Sequence, residues 1–316
     1  MTHVQHRPPV FASCDIGQLA ILKPASKEIL SRICEKAYIL ASNPAGFVAR
    51  VHFSDGDSLV AKAWHRPSQA RALRERWVYE NSQYLAPVGV PKFWGCGVLR
   101  GFETTVLFIE DLGDMTLGRA VATGRCAEES AIDILGRSLF AICRASRGAH
   151  IDQLGPLSYR RLGVEANKQL EDLANVMAHD LRSLLRRYYG KSISRRDDET
   201  PTALCHGDIH AENVVVGAPN SAEDTHLIDF ESAVIARPEY DIAKCIVTSS
   251  LISEYAQDRL IRAYTPTIPL DRAHIETWTV FHAVEGWLHA GLREGRDRPL
   301  WARRVQWAIK RYAGDI

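Results

Sequence analysis

The sequence predicts an α+β protein of two lobes, a small β-rich one followed by a larger, mainly helical one. Three observations carry this expectation. The first 110 or so residues hold short apolar runs separated by turn signals, with one helical pattern among them. Beyond Leu112 the apolar spacing turns helical over long stretches. A chain of 316 residues is also long enough for about two domains. The expected division is a loose tail at 1–12, a first lobe at 13–111 and a second at 112–316, with a joint near Glu110–Gly113.

The elements follow in order. From Ala41 to Trp64 the pattern is β. Phe47, Val48, Val51 and Phe53 form one apolar run, and Asp55-Gly56-Asp57 is a hairpin turn signal. Leu59–Ala63 is a second short strand, with Lys62 inside it. PSQARALRERWVYENSQYLA reads as a helix opening after Pro67-Ser68 and closed by Pro87 and Pro91. KFWGCGVL and ETTVLFIEDL are two more strands, so the first lobe runs β-β-α-β-β. In the second lobe TLGRAV, EESAIDILGRSLFAICRASR, YRRLGVEANKQLEDLANVMAHDLRSLLRRYYG and everything from Tyr240 on are helical in pattern. Only Val214–Val216 and THLIDF read as strand there, and KSISRRDDETP is a charged insert.

Composition narrows the function classes. Apolar content of 46% and charged content of 24% are ordinary for a globular protein. The formal charge is +1 and the basic residues are scattered, which argues against a nucleic-acid partner. Seven cysteines without a CxxC pair suit free thiols in a reducing cytoplasm. MTHVQHRPPVF lacks the apolar core of a signal peptide, and no 18-residue apolar run predicts a membrane span. A cytoplasmic monomer or homodimer with no membrane partner is expected.

Two places carry chemistry. Lys62 lies between apolar residues in LVAKAW. It is either an edge-strand lysine facing solvent or a cation for nucleotide phosphates, held by a glutamate of the next helix. At about 100° per residue, Glu80 shares a face with Leu73, Trp77 and Tyr84, while Glu75 lies nearer Val78 and Tyr79. Periodicity favours Glu80. SNPAGF, Ser42–Phe47, occupies the hairpin where a phosphate-covering loop would lie, and no GxxxxGK[ST] occurs, which excludes a P-loop.

The second place is ALCHGDIHAENVVV, Ala203–Val216, where four polar side chains stand between apolar stretches. It fits a metal site, a satisfied core turn or a catalytic loop. His206, Asp208 and His210 alternate, but no further cluster with zinc spacing follows. Asn213 follows Asp208 by five residues, and LIDFE places Asp229 after a short strand. An aspartate to take a hydroxyl proton, with an asparagine and an aspartate for Mg2+, is a minimal set for phosphoryl transfer. Leu204–Asp241 holds eight acidic residues against one arginine, which suits divalent cations.

HGDIHAEN (206–213) and IDFE (228–231), supported by Lys62, LFIEDLG (107–113) and PEYDIA (238–243), resemble the aminoglycoside phosphotransferase/choline kinase family, whose fold is protein-kinase-like. The resemblance spans roughly 43–243. It implies Asp208 as catalytic base, Asn213 and Asp229 as Mg2+ ligands, and Lys62 on the ATP phosphates. It favours Glu75 over Glu80 as the partner of Lys62. It further implies backbone contacts from Glu110 and Leu112 to adenine, Ser42 and Asn43 near the nucleotide, and His206 and Asp241 as supports of the loop. It accounts for His210 without a metal. Glu212 departs from the family's usual glycine and would add negative charge beside the site. Gly207 and Glu231 depart from the protein-kinase motifs, which argues against a protein substrate.

The resemblance places acceptor specificity in the helices at roughly 158–190 and 271–300. Glu231, Glu276, His282 and Glu285 are the candidate acceptor residues, with Trp287 and His289 beside them. The second segment carries few acids, so a polycationic acceptor is not favoured. The expected activity is ATP- and Mg2+-dependent phosphorylation of a hydroxylated small molecule, an antibiotic first, with a choline-, homoserine- or sugar-like metabolite as alternative. A non-catalytic nucleotide-binding protein and a zinc hydrolase are the rival classes.

Overall fold

The computed structural model describes residues 34–85, 89–99, 104–146, 156–174, 179–193, 203–217, 225–264, 270–292 and 298–314. The expected tail at 1–12 and most of the charged insert lie outside these residues. The chain divides into two compact units. The first runs to Ser82 and resumes over Val90–Asp114; the second takes Gln83–Gly89 and everything from Met115.

The first unit is a five-stranded antiparallel sheet with one helix. Its strands are β1 (Cys34–Asn43), β2 (Gly46–Phe53), β3 (Ser58–Trp64), β4 (Phe93–Leu99) and β5 (Thr104–Glu110), in the order β1-β2-β3-β5-β4. Helix α1 (Gln69–Glu80) follows β3. Side chains alternate along a strand. Leu59, Ala61 and Ala63 therefore bury one face with Val51, Phe53, Val106 and Phe108. Trp64 buries the other with Ala72 of α1, Cys96 and Leu107. Lys62 shares the parity of Trp64, so β3 delivers its side chain to the helix-covered face.

The observed order is β-β-β-α-β-β, one strand more than expected. The sequence pattern begins at Ala41, whereas β1 starts at Cys34. β1 is an edge strand, and Tyr38, Ile39 and Leu40 are all exposed. With only Ala37 packed on the core of the sheet, β1 carries too little alternation to be read.

The expected joint is tied into the first unit. Arg50 of β2 donates from Nη2 to Asp111 (2.9 Å) and Asp114 (2.6 Å). The same Asp111 carboxylate accepts from the Ser58 hydroxyl (2.6 Å) and the Gly113 N–H (3.0 Å). Burial works against this carboxylate, but the Ser58, Arg50 and Gly113 donors outweigh it and hold its pKa below the ordinary value. These bonds carry the boundary to Asp114, beyond Leu112. Gln83–Gly89 belongs to the second unit because the Leu227 N–H donates to the Gly89 carbonyl (2.8 Å).

The second unit holds α2 (Leu117–Ala122), α3 (Glu128–Ser146), α4 (Leu162–Ala174), α5 (His179–Ser192), α6 (Pro238–Thr248), α7 (Glu254–Tyr264), α8 (Arg272–Leu292) and α9 (Arg298–Tyr312). Within the pattern from Tyr159 to Gly190 the described helices are α4 and α5. Their apolar faces meet α6, α8 and α9 through Leu170, Leu173, Leu185, Val247, Val280, Val284 and Val305. Gly136 of α3 lets α7 approach: a Cβ there would stand 2.6 Å from the Ala263 Cβ and 2.7 Å from the Leu260 carbonyl oxygen. Two small ladders frame the remaining segment, β6 (Ala203–Cys205) with β9 (Val234–Ala236) and β7 (Val214–Val216) with β8 (Thr225–Leu227). β6 and β9 escape sequence reading because ALC and VIA are three buried residues without alternation and without the unbroken β-branched run that marks β7. Cys96, Cys126, Cys143, Cys205 and Cys245 are free and buried.

The Asp111 network predicts a stability difference between neighbours. Asp111→Ala should cost about 2–4 kcal/mol, because it strips a largely buried guanidinium and a hydroxyl of their acceptor. Asp114→Ala, at a half-exposed carboxylate, should cost at most about 1 kcal/mol. Urea unfolding of both variants checks this; equal losses would remove Asp111 as the organising group.

Candidate active site

The loop between β6 and β7 is built on a carboxylate beneath it. Asp241, in the first turn of α6, accepts the His206 N–H at 2.6 Å on Oδ2 and the Gly207 N–H at 2.8 Å on Oδ1. Burial pushes its carboxyl up to about 7, against these two donors, which favour the ionised form. Gly207 lies at φ +82°, and a Cβ there would stand 2.0 Å from the Ser232 carbonyl oxygen, so only glycine fits. The His206 ring is fully buried against Phe230 and donates from Nε2 to the Ile228 carbonyl (2.9 Å). The loop is thereby joined to the segment after β8 that carries Asp229. Thr248 adds a hydroxyl bond to the Ile209 carbonyl (3.1 Å).

This scaffold brings Asp208, Asn213 and Asp229 onto adjoining segments. Asn213 donates from Nδ2 to the Asp208 carbonyl (2.8 Å), which fixes its amide and turns Oδ1 to the opposite side. Asp229 has left-handed backbone angles, φ 69° and ψ 55°, and is one of two described non-glycine residues at positive φ. Such a conformation costs about 1–3 kcal/mol and clusters at functional sites. An amide oxygen and a carboxylate are hard donors that fit Mg2+, which takes one or two protein ligands and completes its shell with phosphate and water. Among the described residues no group of three His, Cys, Asp or Glu side chains stands ready to hold a metal ion.

In the first unit Lys62 meets Glu75. Nζ lies 2.7 and 2.8 Å from the two carboxylate oxygens, and the Tyr79 hydroxyl donates to the same carboxylate at 2.7 Å. Both partners are buried. Glu80 pairs with Arg76 instead (3.0 Å). The helical-wheel reading fails because the side bearing Leu73 faces outward, while Ala72, Glu75, Val78 and Tyr79 are the buried residues of α1.

Other expected residues take different places. Asn43 is occupied by its own turn: Oδ1 accepts the N–H groups of Ala45 (2.8 Å) and Gly46 (3.2 Å), and Ser42 beside it is exposed. Glu110 bonds Lys92 through both its carboxylate (3.0 Å) and its N–H (2.9 Å), and Leu112 follows in the same segment, partly buried. Glu231 is partly buried in the short turn after Asp229. Glu212 does not project toward Asp208; it accepts from the Thr116 hydroxyl (2.7 Å) and packs on Gly118.

The expected acceptor residues of α8 separate. Glu276 pairs with Arg272 at 3.6 Å. It stands nine residues before Glu285, which is half a turn away around a helix, so the two point to opposite sides. His282 is fully buried, stacked on Trp278, with Nε2 3.2 Å from the Tyr240 carbonyl. Its Nδ1 lies 3.3 Å from Glu285.

One residue beside Asp208 is absent from the sequence reading. Lys244 of α6 places Nζ 4.0 Å from Asp208 Oδ1 and 3.5 Å from Glu285 Oε2. The signal was its position three residues after Asp241, which puts both on one side of α6. His210 is the other neighbour, with Nε2 3.8 Å from Asp208.

Residues 41–274 match the phosphotransferase enzyme family. The chain belongs to that family. As a member it is an enzyme that transfers phosphate to a hydroxyl of a small molecule, and the family implies ATP use. Its fold is similar to the aminoglycoside phosphotransferase APH(2")-IIia in complex with GDP and kanamycin (TM-score 0.67, 15% identity, 92% of this chain and 97% of that one). It is also similar to the amicoumacin kinase hAmiN in complex with AMP-PNP, Ca2+ and Ami (TM-score 0.65, 15% identity, 94% and 92%). The choline kinase LicA from Streptococcus pneumoniae is a further match (TM-score 0.65, 16% identity, 92% and 96%). At these identities the likeness establishes the fold, the two-lobed α+β protein-kinase-like architecture. No curated protein matches the chain in sequence. Among the described residues no helix is long and apolar enough to cross a membrane.

The buried histidine predicts a pH dependence. Burial lowers the pKa of His206 below 6.5. The unfolded chain then takes up a proton that the folded chain refuses, so this contribution to stability is full above about pH 6.5 and is lost as pH falls below it. His206→Gln keeps a donor for Ile228 and should lose less melting temperature than wild type between pH 7 and 5. Parallel melting curves would contradict the assignment.

Proposed function

We propose that the protein is an ATP- and Mg2+-dependent kinase for a hydroxyl of a small molecule, an antibiotic-type acceptor of low positive charge. The observation that carries this reading is the joint placement of Asp208, Asn213 and Asp229 on segments locked by Asp241 and His206. Asp208 is partly open, with its side chain 39% exposed, as a group that must meet an acceptor requires.

In this reading Asp208 accepts the proton of the acceptor hydroxyl as the oxygen bonds to the γ-phosphorus. The bond from that phosphorus to the β–γ bridging oxygen breaks, and its electron pair leaves with ADP. Asn213 and Asp229 would hold Mg2+, which neutralises phosphate charge when bound. Lys62, already oriented by Glu75 and Tyr79, supplies a fixed cation for the nucleotide phosphates. The backbone of Glu110 and Leu112 serves the base. The side chains nearest Asp208 include Lys244 and His210, which disfavours a polycationic acceptor. A hydroxylated metabolite satisfies the same features and is the second reading.

Three measurements test this. Hydroxylated antibiotics and metabolites are screened for ADP release and for a mass gain of one phosphate; at least one should respond, and phosphorylation only of metabolites would select the second reading. Asp208→Asn should lower kcat by about 10²–10⁴ with KM for ATP and melting temperature little changed. Near-normal turnover with lower stability would make the loop scaffolding. Lys62→Ala, compared with Glu75→Ala and Glu80→Ala, should weaken ATP use; only Glu75→Ala should mimic it. Unchanged ATP kinetics in a folded Lys62→Ala protein would remove the nucleotide role.

A further inference from the structure

Lys244 and Lys62 are both lysines with carboxylate partners, but they are held differently. Lys62 is closed onto both oxygens of Glu75 at 2.7 and 2.8 Å. Lys244 stands 3.5 Å from Glu285 and 4.0 Å from Asp208, beyond the length of a strong charge-assisted hydrogen bond. Its side chain is 14% exposed, so it is neither solvated nor locked. Its anchor is itself fixed: Glu285 is backed by His282, and His282 by the Tyr240 carbonyl. Burial opposes the charge on Glu285, but Lys244 and His282 outweigh it and hold the carboxylate ionised well below the usual range. The root of α6 is equally rigid, because Asp241 binds the loop that carries Asp208.

An ammonium with unspent donors, 4.0 Å from Asp208, has one chemical use in phosphoryl transfer. The acceptor oxygen must lie within about 3 Å of its base, and the phosphorus comes within bonding reach of that oxygen. A cation beside the base therefore lies beside the transferred group, whose oxygens hold the charge of the transition state.

We propose that Lys244, steered by Glu285 and His282, is a catalytic cation that stabilises the phosphoryl group during its passage to the acceptor oxygen oriented by Asp208. The inference rests on the reading of Asp208 as base. Lys244 takes no proton; the hydroxyl proton goes to Asp208, and the electrons of the broken P–O bond leave with ADP. Glu285 and His282 thereby become positioning residues for Lys244.

The probes are Mg·ADP and Mg·ADP with aluminium fluoride, a mimic of the phosphoryl group in flight. Their affinities are measured for Lys244→Met, Lys244→Arg and Glu285→Gln, with ADP release from ATP measured on Asp208→Asn. Lys244→Met should weaken the aluminium fluoride complex by about 10–100-fold and leave Mg·ADP affinity and melting temperature unchanged. Lys244→Arg should restore most of the loss, and Glu285→Gln should fall between, whether or not Lys244→Met folds. Wild-type affinity of Lys244→Met for the complex, with ADP release slowed in Asp208→Asn, overturns the role of Lys244 and leaves the base standing. Parallel loss of Mg·ADP affinity and melting temperature makes Lys244 structural and also overturns it. Unchanged ADP release in Asp208→Asn removes the reading of the site itself.

Discussion

Two backbone N–H groups on one buried carboxylate set the geometry on which the rest of the second unit depends. Asp241 takes them from consecutive residues, His206 and Gly207. A single carboxylate can do this only if the peptide between them turns both N–H groups to one side, and that turn requires the positive φ of Gly207. The loop that follows then has one exit direction. Asn213 reads that direction through the Asp208 carbonyl, and His206 transmits it through Ile228 to the segment that follows β8. Helix, loop and strand form one rigid body around three oxygen-bearing side chains.

The same logic explains how much of the molecule the sequence displays. Strands β2, β3, β4 and β5 are legible as short apolar runs set off by turn signals. β1 is not, since it lies at the edge with Tyr38, Ile39 and Leu40 exposed. β6 and β9 are not: three buried residues have no period, and at that length only the unbroken β-branched run of β7 marks a strand. Local pattern senses strands through periodicity and composition, and fails where a short or exposed strand supplies neither.

Site residues divide along a similar line. Asp208 and Asn213 are grouped by a five-residue spacing, and the IDFE motif adds Asp229 from the next segment, so sequence can group them. Pairing across elements is harder. Lys62 has two glutamates within reach, and a wheel built on apolar residues chooses the wrong one because Leu73 is large yet exposed. The family pattern chooses the right one. For α8 the difficulty is three-dimensional: Glu276, His282 and Glu285 share a helix but not a side. Lys244 belongs to the site because Asp241 anchors α6 beneath the loop, so its spacing from Asp241 gains meaning only once that anchor is known.

The buried cysteines give the protein built-in reporters of its own openings. Cys96 is in the first unit, and Cys126, Cys143, Cys205 and Cys245 are in the second. Burial raises the pKa of the Cys126, Cys205 and Cys245 thiols, so these stay protonated and unreactive while covered. Each becomes an ordinary nucleophile only when its surroundings open. Cys205 ends β6 immediately before the loop, so its exposure rate times the loosening of the Asp241-braced segment apart from that of the β-sheet. Alkylation mapped residue by residue thus turns the static division of the fold into a record of which part gives way first.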